Sequence, residues 1–281
     1  MVAPGRDGGR LLGVCLERRY HPRMLPYDEA GAGPAVVLLH AGVADRGMWA
    51  GHLERLAGAG FRAIAPDLPG YGEAPARSGG PAPWTEVTLT LDALGVERAV
   101  LVGNSFGGAV ALRVAVLDPT RVTGLVLVSA PPAVFDPSPR LAAAWAAEES
   151  ALRAGEVDAA VRAVVDAWTL PGAPPSMREQ VAMMQRRAFA LQASLPDDEP
   201  DPPDPIETDP ATLDGIQAPA LVAAGEHDMP DFRDGAQDLA QRLPRAGPAV
   251  VIAEAGHLAP LETPETFLAL LLDFLEREIR R

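Results

Sequence analysis

The chain has no lysine: all 24 basic residues among its 281 are arginine. That absence removes Schiff-base chemistry, a Ser–Lys dyad and a P-loop lysine. Cysteine is almost missing as well. A lone Cys15 excludes an intramolecular disulfide and any thiolate-rich metal site. The five histidines (His21, His40, His52, His227 and His257) form no His-Glu-x-x-His pair, so no metal centre is expected. Aromatic residues make up only 5%, which leaves the core to Val, Leu, Ala and Ile. No apolar run approaches the ~18 residues of a membrane span. The early segment "LLGVCL" is too short, and too closely flanked by charge, for a secretory signal. The cytoplasm is the default expectation. With a formal charge of −14, neither nucleic acid nor an anionic membrane is an expected partner; a small-molecule substrate is.

What is present is apolar and ordered. Hydrophobic residues reach 48%, ample for a sizeable core and contrary to general disorder. Buried-strand patterns alternate with helical ones. "AVVLLH" (35–40), "FRAIAPDL" (61–68), "RAVLVGN" (98–104) and "VTGLVLVSA" (122–130) read as strands. Between them, 48–60, 84–96 and 106 to about 117 read as helices. Continuous Val/Leu strands separated by helices require a parallel sheet covered on both faces, joined by right-handed crossovers.

After Pro131 the rhythm breaks. Residues 139–195 are Ala-rich and helical in pattern, with no strand signal. "PDDEPDPPDPIETDP" (196–210) is acidic and proline-dense, a linker that neither helix nor central strand can use. "APALVAAGEHD" and "PAVVIAEAGH" then return as buried strands, and "PETFLALLLDFLEREIRR" closes as an amphipathic helix. The expected organisation is an α/β core, residues 1–132 and 206–281, interrupted by a helical cap at 133–205.

Ligands of an open parallel sheet bind outside the carboxyl ends of its strands. At those ends stand His40, Ala41 and Gly42, then Asp67, Ser105, Asp228 and His257. Ser105 occupies a Gly-x-Ser-x-Gly turn between a strand and a helix, where strain would push its hydroxyl outward. A serine hydroxyl is too weak an acid to attack unaided. It needs an imidazole to take its proton and a carboxylate to hold that imidazole in the right tautomer. Ser, Asp and His at three strand ends meet that need.

The successive stretches "YDEAGAGPAVVLLHAG", "APDLPGYGEA", "GNSFGG", "LVAAGEHD" and "AGHLAPLETPETF" resemble the landmarks of the α/β-hydrolase fold superfamily, of its capped, lipase- and dehalogenase-like kind. The likeness covers about residues 25–130 and 213–280. It implies a doubly wound, mostly parallel sheet with a helical lid inserted after the sixth strand. It further implies a Ser105 nucleophile, an Asp228 acid and a His257 base, with no cofactor. The oxyanion donors would be the backbone N–H groups of Phe106 and Gly42. The sequence reads His-Ala-Gly-Val where the family commonly has His-Gly-x, which keeps Ala41 and Val43 open as alternative donors. Asp231 and Asp136 remain rivals for the acid, Asp231 otherwise capping the helix that begins near Phe232. His40 would brace the oxyanion loop, Asp67 would hold a turn, and His227 would face solvent. Asn104, Val43, Trp145 and Trp168 are the candidate pocket residues. Asn104 beside the nucleophile resembles carbon–carbon bond hydrolases of vinylogous diketones. The expected activity is hydrolysis of a small or medium acyl compound, an ester or lactone. Diketone cleavage and a non-hydrolytic tailoring or ligand-binding role stay as alternatives. Epoxide and haloalkane chemistry is disfavoured because those relatives use Asp where this chain has Ser105.

Overall fold

Alternate residues of the central strands feed two apolar layers. A computed structural model describes residues 24–193, 195–196 and 202–280; Cys15, His21, the "LLGVCL" segment and linker residues 197–201 lie outside that set. The strands are β1 (Tyr27–Ala30), β2 (Ala35–Leu39), β3 (Arg62–Pro66), β4 (Ala99–Asn104), β5 (Val122–Val128), β6 (Ala220–Gly225) and β7 (Val250–Ile252). Val36, Leu38, Val100, Val102 and Val126 face one layer, completed by α1 (Ala50–Gly58) and α10 (Pro264–Glu278). Val37, Leu39, Leu101, Leu125 and Leu127 face the other, covered by α2 (Pro83–Ala93), α3 (Phe106–Leu117) and α8 (Pro230–Arg242). At roughly 1.5–3 kcal/mol for each fully buried Val or Leu, these two layers dominate the fold's stabilisation.

The sheet order is β1-β3-β2-β4-β5-β6-β7, parallel except for β1, which runs antiparallel to β3. From β2 the chain first steps outward to β3, then crosses back to β4 and continues the other way. The strand order therefore reverses at the β2/β4 pair, and the crevice outside their carboxyl ends is the natural ligand position. Gly42 and Ser105 follow those two strands.

Several expectations need correction. β1 carries no hydrophobic alternation and went unread as a strand; it forms because Asp67 N–H and the β3 edge supply its pairing. β7 is not a buried strand: it pairs only with β6 at the sheet edge, and Val251 is 67% exposed. The insertion follows β5, the fifth strand among the described residues, not a sixth. The proline-dense linker also ends in structure, a turn of helix α7 (Pro205–Thr208) followed by a 3-10 segment (Pro210–Gly215). The Asp204 carboxylate accepts from Ile206 and Glu207 N–H, and Pro205 stands at the first helical position, where its missing N–H costs nothing.

The insertion itself holds three helices, α4 (Pro139–Arg153), α5 (Val157–Trp168) and α6 (Pro175–Gln192). Ser138 caps α4 by accepting from Leu141 N–H. Val161, Val164, Val165 and Trp168 recur at helical spacing, giving α5 one apolar face that packs between α4 and α6.

Candidate active site

The glycines around Ser105 are there because two backbones touch. A Cβ on Gly103 would lie 2.3 Å from the Gly107 carbonyl oxygen, and one on Gly107 would lie 2.1 Å from that of Leu39. Only glycine permits such a tight strand-to-helix turn. Within it Ser105 adopts φ 52° and ψ −116°, a left-handed backbone that L-residues avoid. Its N–H donates to Val128 O (2.9 Å), and its carbonyl accepts from Ala109 N–H (3.0 Å), so both neighbouring elements hold the strain in place.

Ser105 and His257 line one cavity of about 1050 Å³, together with Gly42, Val43 and Phe106. A Cβ on Gly42 would come 3.4 Å from the Phe106 Cβ, so the two candidate oxyanion donors stand side by side. Phe106 N–H is also at the start of α3, where the helix dipole favours negative charge.

His257 follows β7 and is 4% exposed. Its Nδ1 lies 3.0 and 3.2 Å from the two carboxylate oxygens of Asp228, which follows β6. Asp228 Oδ1 accepts in addition from Met229 N–H at 2.7 Å. The rings of Phe232 and Trp168 pack on the imidazole at centroid distances of 4.3 and 4.5 Å, shielding it from water. Of the two rival acids, Asp231 is engaged elsewhere, accepting from Ser138 N–H and Oγ–H at 2.7 Å each. Asp231 does not cap α8; the helix begins one residue before it, and its carboxylate instead ties α8 to the start of α4. Asp136 sits in the β5–α4 connection and has no bond to His257.

His40 is fully buried. Its Nδ1–H donates to Ala41 O (2.8 Å) and its Nε2 accepts from Leu68 N–H (2.8 Å), so it joins the loop after β2 to the loop after β3. The bond accepted from Leu68 N–H needs the neutral ring, and burial lowers its pKa to about 4. The unfolded chain, with a pKa near 6.5, takes up the proton first as pH falls. His40 therefore contributes stability that is complete above about pH 6.5 and lost towards pH 4, about 3 kcal/mol in all. A His40→Gln variant should melt below the wild type at pH 7.5, with the gap closing by pH 4.5. Thermal scans showing a pH-independent gap would remove this role. Asp67, also fully buried, accepts from the N–H groups of Arg46 and Glu73 and pairs with the Arg46 guanidinium. His227 is exposed.

Asn104 does not line the cavity, contrary to expectation. Its Nδ2 donates to Val128 O and His257 O, both at 3.0 Å, because the strand end leaves its side chain beneath the histidine loop. Trp145, 41% exposed and packed on Phe135, and Trp168 both lie on the cavity wall. Sequence reasoning missed Glu262, Gln185 and Phe232. Glu262 accepts from Gly256 N–H (2.7 Å) and Leu170 N–H (3.1 Å), tying the histidine loop to the α5–α6 connection. Burial pushes its carboxyl up. Its place five residues after His257 was the available signal.

A doubly wound sheet with a strained serine at its switch point defines a class, the α/β hydrolases. The model of the Alpha/beta hydrolase family matches residues 36–270, and the chain belongs to that family. It is 32% identical over 267 residues to a 2-hydroxy-6-oxononadienedioate/2-hydroxy-6-oxononatrienedioate hydrolase of Paraburkholderia phymatum, covering 89% of this chain and 90% of that one. A 2-hydroxy-6-oxo-6-phenylhexa-2,4-dienoate hydrolase of Comamonas testosteroni is 38% identical over 37% of this chain, and the match spans only 39% of that relative's length. Among solved structures, a thermophilic esterase from Thermogutta terrifontis superposes with a TM-score of 0.73 at 26% identity, covering 90% of this chain and 93% of that one. Hydrolase activity is common to all three. No described helix is long and apolar enough to cross a membrane.

Proposed function

We propose that the protein is a serine hydrolase of uncharged acyl compounds, carboxylic esters or lactones, working through an acyl-enzyme on Ser105. His257 takes the hydroxyl proton as Ser105 Oγ attacks the carbonyl carbon. Asp228 holds the Nδ1–H tautomer and stabilises the imidazolium. The oxyanion of the tetrahedral intermediate faces the N–H groups of Phe106 and Gly42. His257 then returns the proton to the departing alkoxide, and the same base activates the water that frees the acid. The inserted helices α4, α5 and α6 act as a cap that excludes water from the acyl-enzyme.

One observation favours a neutral substrate. The single cation on the cavity wall among the described residues, Arg113, is already spent. Its Nε and Nη2 reach Asp204 Oδ2 at 2.8 and 2.6 Å, and its Nη1 donates to Ala109 O. The other charged groups of the wall are carboxylates (Glu148, Glu149 and Glu207). Such a cavity repels a carboxylate-bearing ligand.

Cleavage of a carbon–carbon bond in a hydroxy-oxo-dienoate is the second reading, favoured by the relatives' activities and by Asn104 beside the nucleophile. Those substrates are anions. A panel of p-nitrophenyl butyrate, a γ-lactone and a 2-hydroxy-6-oxo-dienoate separates the two readings. We expect the butyrate and the lactone to turn over at least about 100-fold faster in kcat/KM than the dienoate, about 3 kcal/mol in transition-state binding. The reverse order would transfer the assignment to carbon–carbon cleavage.

A further inference from the structure

The backbone of the base is held by two side chains that take no part in the proton transfer. From one side Asn104 Nδ2 donates to the carbonyl of His257 itself. From the other, Glu262 at the end of α9 (Ala259–Glu262) accepts through Oε2 from the N–H of Gly256, the residue before it. The second oxygen of Glu262 serves the cap. Oε1 accepts from the N–H of Leu170, in the α5–α6 connection. Contact along this seam is close: a Cβ on Gly256 would lie 3.0 Å from Leu170 Cδ2 and 3.1 Å from Glu262 Oε1. The same stretch of cap also reaches the imidazole directly, since Trp168, two residues earlier, packs on its ring. A single carboxylate thus bridges the loop of the base and the cap segment that shields it.

Stability does not account for this carboxylate. Burial pushes its carboxyl up in spite of the two N–H bonds. The unfolded chain ionises first as pH rises, so holding Glu262 as a carboxylate costs the fold free energy above that raised pKa. His257 attracts the charge and Asp228 repels it. Asp166, Arg140, His227 and Glu254 line the adjoining cavity of about 580 Å³ without bonding to it. An ionised group kept where it lowers stability is the pattern of a residue retained for function.

We infer that Glu262 is a positioning residue that couples the base to the cap, holding the backbone before His257 against the α5–α6 connection. The imidazole is then set to take the Ser105 proton only while that segment of the cap is docked. Closure of the cap over a substrate and readiness of the base become one event. This rests on the proposed hydrolase reading. A neutral amide cannot do the same. It keeps one acceptor oxygen, and its NH₂ meets the second backbone N–H as donor against donor.

Glu262→Gln keeps size and shape. It should lower kcat for p-nitrophenyl butyrate and p-nitrophenyl acetate alike by at least about tenfold, with KM within about twofold. Fluorophosphonate labelling of Ser105 should slow by the same factor. The melting temperature at pH 8 should stay within about 3 °C of the wild type, because removing the buried charge offsets the lost bond. Glu262→Ala should act in the same direction, and it serves if the first variant does not fold. A variant that melts lower but keeps kcat well below its melting temperature would make Glu262 purely structural and overturn the inference. So would a rise in KM alone, which would confine its effect to the cap. Proton NMR decides independently of hydrolysis. In a Ser105→Ala background the downfield Nδ1–H resonance of His257, assigned by its loss in His257→Gln, should broaden or vanish when Glu262→Gln is added. An unchanged resonance overturns the inference. If the wild type neither labels nor hydrolyses, the hydrolase reading fails alone, and this resonance still supports or overturns the role of Glu262.

Discussion

Ser105→Ala should abolish labelling by a fluorophosphonate probe and lower ester turnover by roughly 10⁴-fold or more, because the oxyanion donors and the cavity remain but nothing attacks. Stability should not fall with activity. Alanine keeps the same strained backbone at φ 52°, so its melting temperature should stay within a degree or two of the wild type. Ser105→Gly should behave differently. Glycine occupies this region freely, relieving strain of roughly 1–3 kcal/mol against a backbone-entropy cost of roughly 0.5–1 kcal/mol. A net gain of about 1 kcal/mol corresponds to a rise of about 2–4 °C for a chain of this size. An inactive but more stable glycine variant would show that the turn is held under strain for function. Labelling that survives Ser105→Ala would sink the assignment of the nucleophile.

Asp228→Asn should reduce kcat by roughly 10⁴-fold near neutral pH. An asparagine at that position offers Nδ2–H to His257 Nδ1, which drives the ring proton to Nε2, the atom that must accept from Ser105. Geometry is kept and the tautomer is wrong. Asp231→Asn should cost only a few-fold in activity. Its carboxylate serves Ser138 at 2.7 Å, and the amide retains an acceptor for one of those two donors. Steady-state kinetics of the two variants side by side decide the matter. Were Asp231→Asn the crippled one, the acid would be Asp231, and the Asp228–His257 contact would be a bystander.

Much of this protein is legible in the chain because local pattern and burial agree. The helix over Phe106–Leu117 begins and ends where the sequence places it, since a glycine turn starts it and Asp118-Pro119 stops it. The central strands are unmistakable for a similar reason. A segment buried on both faces must be apolar at every position, and "AVVLL" or "AVLVG" satisfies that whichever way it turns. The order of Ser105, Asp228 and His257 at strand ends follows from the same pattern.

Tertiary structure decided what depends on neighbours distant in the chain. β7 looks like any buried strand, but it has no neighbour beyond it, so Val251 meets solvent. Asn104 reads as a pocket residue until Val128 O and the carbonyl of His257, 153 positions later, take its two donor hydrogens and hold it beneath the histidine loop. Trp168 reads as a pocket residue, and only the fold shows that it also presses against the imidazole. Gln185 sits in an unremarkable helical pattern, and only the fold buries its oxygen without a partner. Sequence periodicity reports which face of an element is buried. It carries no record of what arrives on the other side, because that is set by crossovers and an insertion that bring together segments the chain keeps far apart.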